Sequence, residues 1–211
     1  IGTYLVRNND TAQYIVMDID VSRKNILEAD GDSEVFGDHL RHAAEQARYM
    51  QLMLRDMGLR TYIEFSGYRG YHVWLFFTEW VPLRYVYSLI GIIKDKVDVK
   101  YDDLSIEYFP KKNKKKSGHS GQSIKLPYSI HLTSGKRSYF CNEDFTPVTS
   151  INDTLSSFAK YSMANIKKVI GANASEASGG NQSNIKSRQE IVIDYDSLGV
   201  TPNAVKVVLD K

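Results

Sequence analysis

The segment TYIEFSGYRGYHVWLFF, residues 61–77, predicts the centre of the fold. Its two ends, 61–65 and 72–77, are short aromatic and β-branched runs that favour buried strands. The serine and glycines between them favour a tight connection, so the segment predicts two consecutive strands. Arg69 and His72 lie where this loop enters the second strand, and a buried strand is a costly place for a charge without a partner.

Further strands and helices are predicted on both sides of this pair. The apolar runs 14–20 and 104–109 favour strands. Apolar residues at a 3.6-residue period predict one helix from Asp38 to Gly58 and another that begins at Pro82. Short strands are expected around a later turn. The order strand, helix, strand, strand, helix, strand, strand predicts an α+β core rather than a doubly wound parallel sheet.

Composition limits the classes of protein that the chain can belong to. With 42% hydrophobic and 25% charged residues among 211, a folded core is expected. The net charge is only +2, so any nucleic-acid surface must be local. The single cysteine, Cys141, excludes an internal disulfide and suits the cytoplasm. No apolar run approaches the roughly 20 residues that span a bilayer, so no membrane partner is expected.

The sequence predicts two regions of different character. Residues 1–150 carry the regular alternation of strands and helices, and they are predicted to form the main folded domain. Residues 151–211 are predicted to form one helix followed by a small, polar linker and a weakly anchored tail. Because the chain begins at Ile1 and its end reads as an interrupted helix, we expect it to be a piece of a longer protein with a further C-terminal domain.

Two carboxylates, Asp18 and Asp20, end the first predicted strand. Residues i and i+2 of a strand face the same side, so the two groups are expected to lie together. Their repulsion favours a divalent cation between them, most naturally Mg²⁺ or Mn²⁺. A solvated strand end carrying two exposed acids is the alternative.

A third carboxylate, Glu107, interrupts the apolar strand 104–109. It alternates with Ile106 and Tyr108, so a place on a solvated strand face is one interpretation. The other is that Glu107 joins Asp18 and Asp20, since three carboxylates can hold the two metal ions used for in-line nucleotidyl transfer.

Cationic side chains accompany these acids. In the glycine loop, Arg69, His72 and Ser66 can donate to phosphate oxygens, while Gly67 and Gly70 permit close approach of a ligand. Further cations that could reach phosphates follow the Glu107 strand: Lys111, Lys112, Lys114, Lys115, Lys116, Lys125 and His131. Three other histidines, His39, His42 and His119, are expected to be surface residues.

Three motifs in this order resemble those of archaeo-eukaryotic primases: IVMDID, then SGYRGYHVWLFF, then LSIEYFP with the downstream IKLPYSIHLTSGKRSYF. The last segment looks most like primase-polymerases attached to CRISPR and other conflict systems. It is also similar, more distantly, to the polymerase domain of bacterial end-joining ligases. The resemblance covers about residues 1–145.

The resemblance implies a DNA primase-polymerase that starts primers and extends them. It implies an N-terminal α/β layer and a sheet like that of RNA-recognition motifs, with the active site in the cleft between them. Asp18, Asp20 and Glu107 would hold two Mg²⁺ or Mn²⁺ ions. Ser66, Arg69 and His72 would bind the triphosphate, with Lys125 and His131 near the nucleotide or primer.

The partners implied are a single-stranded DNA template, a primer strand and nucleoside triphosphates, with other domains or CRISPR adaptation proteins outside this chain. Two alternatives stay open. One is a repair polymerase that only fills gaps or joins ends. The other is a nucleic-acid-binding module without catalysis. A nuclease that uses the same acids fits the phosphate-binding loop less well.

Overall fold

A computed structural model describes residues 2–29, 31–112, 123–148 and 150–178 of the chain. The strands and helices occur in the following order: β1 Gly2–Tyr4, β2 Thr11–Val21, α1 Arg23–Glu28, α2 Ser33–Asp56, β3 Tyr62–Phe65, β4 Gly70–Pro82, α3 Leu83–Lys96, β5 Leu104–Phe109, β6 Ser123–Lys125, β7 Tyr139–Phe140, α4 Ile151–Ser157, β8 Lys160–Tyr161 and α5 Met163–Ser178. The predicted α+β class is confirmed.

A mostly antiparallel six-stranded sheet forms the centre of the molecule. Its strand order is β5-β2-β4-β3-β7, and β8 pairs in parallel with the middle of β4. The two longest strands, β2 and β4, lie side by side, with Asp18 opposite His72. A separate two-stranded sheet joins β1 to β6. The predicted strand pair 61–77 is the β3–β4 hairpin.

The alternation of side chains gives the large sheet two different faces. On β2, Ile15, Met17 and Ile19 are fully buried in the main core. Helices α2 and α3 cover this face with their apolar stripes. The alternating positions Tyr14, Val16, Asp18 and Asp20 face the opposite side, and that side holds the candidate site.

A second apolar cluster supports the opposite face. Trp74 of β4 and Val16 of β2 pack there with Ile124 of β6 and Phe140 of β7. This cluster brings the small β1–β6 sheet against the large sheet. The candidate site therefore lies beside the junction of the two sheets.

Helix α2 begins earlier than the sequence pattern predicted. The Asp32 carboxylate accepts hydrogen bonds from the backbone N–H groups of Glu34 (2.8 Å) and Val35 (3.2 Å), so capping starts the helix there rather than at Asp38. The predicted end is correct, since Gly58 adopts a positive φ of 78° just after the helix. The short helix α1 lies between the first predicted strand and this helix, in a segment for which no element was predicted.

The region after residue 150 contains two helices rather than the single predicted helix. Strand β8 separates α4 from α5 and pairs with β4 at Phe76 and Phe77. Phe158 and Ile166 are buried against the two apolar clusters. Residues 151–178 thus pack on the same sheet as the site, and the predicted tail beyond 178 lies outside the described residues. In the described part of the chain, no helix is long and apolar enough to cross a membrane.

Candidate active site

Four ionisable side chains form a row across four neighbouring strands. Glu107 of β5 lies opposite Asp18 of β2, Asp18 lies opposite His72 of β4, and His72 lies opposite Glu64 of β3. Residues directly opposite each other in antiparallel strands share a face and have Cβ atoms about 5 Å apart. The strand pairing therefore brings the three motifs of the sequence onto one line.

Asp20 lies two residues beyond Asp18 on the same face of β2, and Arg69 forms an ion pair with it. The guanidinium Nη2 is 2.6 Å from Asp20 Oδ2, and Nη1 donates to the Val21 carbonyl at 3.2 Å. Arg69, predicted to bind phosphate, is thus engaged with a predicted metal ligand. An incoming phosphate would compete with Asp20 for this guanidinium.

Glu64 is a site residue that the sequence analysis missed. Its side chain is fully buried, and Oε2 accepts hydrogen bonds from His72 Nδ1 at 2.9 Å and from Trp74 Nε1 at 2.7 Å. Donation from Nδ1 leaves His72 Nε2 directed at Asp18, whose Oδ1 is 3.5 Å away. Burial by itself would lower the pKa of His72. The hydrogen bond and charge of Glu64, helped by Asp18, outweigh burial and raise the pKa.

The carboxylates of Asp18 and Asp20 are held in an environment that disfavours their charged form. Burial raises the pKa of Asp18, against the lowering charge of His72, and Glu107 raises it further. Burial, followed by the charge of Asp18, raises the pKa of Asp20 to about 6 even though Arg69 opposes the shift. Burial is the larger cause in both cases, and the neighbouring carboxylates add to it.

The two glycines of the loop make room for the protein's own backbone. A Cβ at Gly70 would lie 2.0 Å from the Ile19 carbonyl oxygen, so any side chain would collide with β2. Gly67 has a φ of 91°, and a Cβ there would lie 3.0 Å from the Lys136 carbonyl oxygen. The structure thus supplies a packing reason for these glycines, and the approach of a ligand to them stays a prediction.

Ser66 closes the same loop through its backbone. Its N–H donates to the Gly70 carbonyl at 2.9 Å, and the residue is buried. The hydroxyl of Ser134 donates to the Gly67 carbonyl at 2.5 Å, which ties the loop to the segment 126–138. The loop is therefore fixed from two sides.

Lys125 and His131 approach the row from β6 and from the segment that follows it. Burial lowers the pKa of Lys125, while the charges of Glu64 and Asp18 act in the opposite direction. Burial lowers the pKa of His131, and the cationic groups Lys125, Arg69 and His72 lower it further. Lys125, Arg69 and His72 are thus near enough to His131 to disfavour its charged form.

Glu107 reaches the row by strand pairing, but its side chain turns outward. Its Oε1 lies 2.8 Å from Lys111 Nζ, and both side chains are substantially exposed, at 52% and 37%. Lys112 is exposed next to it. The other basic residues of this run, Lys114, Lys115 and Lys116, lie outside the described residues. The predicted carboxylate triad is thus aligned but not closed into one three-ligand cluster.

A comparison with protein families matches residues 1–169 to the model described as TOTE conflict system, archaeo-eukaryotic primase domain. The chain belongs to this family. The predicted family is therefore confirmed, including its association with conflict systems, and the family description does not mention CRISPR. A search of curated proteins found no match.

Among solved structures, the primase domain is similar to the polymerase domain of Mycobacterium tuberculosis ligase D in complex with DNA, at 17% identity and a TM-score of 0.32. The match covers 83% of this chain and 58% of that polymerase domain, so this chain spans little more than half of its length.

The site of this primase domain fits divalent metal ions. Asp18 Oδ1 is buried and has no hydrogen-bond partner among the described residues. Carboxylate oxygens are the ligands that Mg²⁺ and Mn²⁺ prefer, and a cation would favour the charged form of Asp18 and Asp20, whose pKa burial and neighbouring carboxylates raise. Asp18, Asp20 and Glu107 are the residues that would hold the ions.

The signal for Glu64 was present in the sequence. It is the one charged residue in the apolar run 61–65, which is the same argument that identified Glu107. The hairpin with loop residues 66–69 pairs Phe65 with Tyr71 and so places Glu64 opposite His72. Counting outward from the loop finds the pair once this register is known.

Proposed function

We propose that this primase domain catalyses template-dependent nucleotidyl transfer, starting DNA strands from nucleoside triphosphates and extending them. The observation that carries the proposal is the row Glu107–Asp18–His72–Glu64 with Arg69 beside it. This row places carboxylate ligands for metal ions directly beside hydrogen-bond donors for phosphate on one face of the sheet. Nucleotidyl transfer from a triphosphate needs both.

The carboxylates have the first role. Asp18 and Asp20, with Glu107 turned inward from Lys111, would hold two Mg²⁺ or Mn²⁺ ions. When bound, such ions lower the pKa of an attacking 3′-hydroxyl and neutralise charge on the triphosphate. Asp18 and Asp20 bind them best at a pH above the raised pKa of each carboxyl, because the charged form is the ligand.

The cations have the second role. His72, fixed by Glu64 through Nδ1, presents Nε2 to the space beside Asp18. Because Glu64 raises the pKa of His72, the imidazolium form is favoured, and its Nε2–H can donate to a phosphate oxygen. Arg69 would exchange its contact with Asp20 for a bidentate contact with phosphate once metal neutralises that carboxylate.

The remaining basic residues would contact the nucleic acid and the nucleotide. Lys125 of β6 and His131 in the segment that follows β6 border the same space. Lys111 and Lys112 lie at the outer edge beside Glu107, where they would meet the backbone of a single-stranded template or a primer. These contacts are electrostatic and would not select sequence.

The test is a primer-free assay with single-stranded DNA, labelled nucleotides and Mg²⁺ or Mn²⁺. The protein is compared with Asp18→Asn/Asp20→Asn and with a control, Asp95→Asn, at an exposed position of α3. Dinucleotides and longer products from the protein and the control, but not from the double variant, are expected. Extension of a supplied primer without initiation would instead indicate a repair polymerase. No product in either assay, with metal-independent DNA binding, would indicate a binding module.

A further inference from the structure

A second cluster of potential metal ligands lies on the helix side of the sheet. Among residues 2–29, 31–112, 123–148 and 150–178, His39, His42 and Asp103 are the one group of three His, Cys, Asp or Glu side chains whose ligand atoms all lie within 4.8 Å of one another. Both histidines were predicted to be surface residues. The structure instead brings them together around one carboxylate, outside the site described above.

The fold builds this cluster from two distant parts of the chain. His39 and His42 are three residues apart on α2, a spacing that puts both on one face of a helix. Asp103 directly precedes β5, and its carbonyl accepts a hydrogen bond from the Ser22 N–H at 2.8 Å. His42 Nδ1 lies 2.8 Å from Asp103 Oδ2, and His39 Nδ1 contacts the same oxygen.

The three side chains are partly shielded from water. The exposed fractions are 18% for His39, 30% for His42 and 11% for Asp103. Tyr101 stacks on the His42 ring with a centroid distance of 4.3 Å and an interplanar angle of 8°. The ligand positions are therefore fixed by packing, while His42 keeps an opening to solvent for a fourth ligand.

We infer that His39, His42 and Asp103 form a binding site for Zn²⁺, with water as the fourth ligand. Two imidazoles and one carboxylate are a donor set that zinc prefers and that Mg²⁺ does not. Tetrahedral bonds of about 2.0–2.1 Å place neighbouring ligand atoms roughly 3.3 Å apart. Reaching that spacing requires both histidine Nδ1 atoms to move away from Asp103 Oδ2, and His42 Nδ1 has to move by about half an ångström.

The site would join α2 to the segment that leads into β5. Gln46 already holds this segment, since its Nε2 donates to the Asp98 carbonyl at 3.0 Å and its Oε1 accepts from the Lys100 N–H at 2.8 Å. A metal ion one helical turn away would add a second fixed point immediately before the strand that carries Glu107. The protein would then hold two kinds of metal, on opposite faces of one sheet.

The experiment measures Zn²⁺ binding by calorimetry in an Asp18→Asn/Asp20→Asn background, where two of the carboxylates of the first site are absent. One zinc ion per chain is expected, and a large excess of Mg²⁺ should not displace it. Adding His42→Gln or Asp103→Asn should weaken binding by roughly 100-fold or more, since even a residue that only orients a ligand is worth 10–100-fold. Adding Asp102→Asn, at the exposed neighbouring position, should leave binding unchanged.

Two further measurements keep the inference testable if a variant fails to fold. Zn²⁺ at a hundredfold excess over its dissociation constant should raise the melting temperature of the background protein by roughly 5–10 °C. Co²⁺ should give the intense visible absorption of a tetrahedral site, and Zn²⁺ should abolish it. Absence of stoichiometric zinc binding, or binding equal in the His42→Gln protein, would overturn the inference. None of these readouts depends on nucleotidyl transfer, so failure of the proposed function would leave this result intact.

Discussion

Replacement of Asp20 by asparagine should stabilise the metal-free protein while removing its activity. Burial and the charge of Asp18 raise the pKa of Asp20 from 3.8 to about 6. Each pKa unit corresponds to about 1.4 kcal/mol, so ionisation of Asp20 costs the folded state about 3 kcal/mol at neutral pH. Because the side chain is 18% exposed and asparagine also weakens the contact with Arg69, we expect a gain of about 1–3 kcal/mol.

The sign of the pH dependence follows from the direction of the shift. The folded protein keeps the Asp20 proton to a higher pH than the unfolded chain does, so its stability falls as the pH rises from about 4 to about 6. The Asp20→Asn protein has no titrating group at this position, so it does not lose stability for this reason over the same pH range. The difference between the two proteins should therefore be near zero below pH 4, grow through this window and stay constant above it.

The assay is urea unfolding in the presence of a chelator across this pH range, with Asp95→Asn as the control at an exposed position. The control should change stability by no more than about 0.5 kcal/mol. Primer extension should be lost in Asp20→Asn and kept in the control. A variant as stable as the parent at neutral pH, or a gain that does not depend on pH, would refute the reasoning.

Three further predictions concern the surroundings of the row. Glu64→Gln removes the charged acceptor of the His72 hydrogen bond, which is worth about 1.5–3 kcal/mol. We therefore expect kcat/KM for the nucleotide to fall by roughly 10- to 100-fold. Because the pKa of His72 should also fall, kcat/KM is measured as a function of pH. Gly70→Ala places a Cβ 2.0 Å from a carbonyl oxygen of the neighbouring strand and should lower the free energy of unfolding by at least about 3 kcal/mol in chemical unfolding. The control Gly91→Ala lies in a helix, where a Cβ has nothing within 4 Å, and should be neutral or stabilising. Equal effects of the two substitutions would contradict the packing argument. Lys111→Gln should change stability by less than about 1 kcal/mol because its ion pair with Glu107 is exposed. It should nevertheless weaken the binding of single-stranded DNA and reduce the salt dependence of that binding, measured in a filter or anisotropy titration. Unchanged binding would show that this lysine is not part of the nucleic-acid surface.

The local patterns of the sequence were sufficient for most of the strands and helices. The run 104–109 is the strand β5, and the pair predicted at 61–77 is the β3–β4 hairpin. Two of the predicted helices were wrong in their bounds, for two different reasons. Helix α2 begins at a side-chain cap, and the helix predicted after residue 150 is divided by the two residues of β8, which pair with β4. Short elements of this kind depend on a partner strand rather than on periodicity.

The sequence by itself determined which acids share a face, because side chains alternate along every strand and Asp18 and Asp20 are two residues apart. It also determined the family, through three motifs in a fixed order. Only the tertiary structure decided the register that sets Asp18 between His72 and Glu107, and the contact of Glu64 with His72. The tertiary structure alone also brought His39 and His42 into contact with Asp103, which lies 64 and 61 residues further along the chain. The physical reason is that strand pairing and helix packing join residues without regard to their separation in sequence, whereas a periodic pattern reports only which way each residue faces.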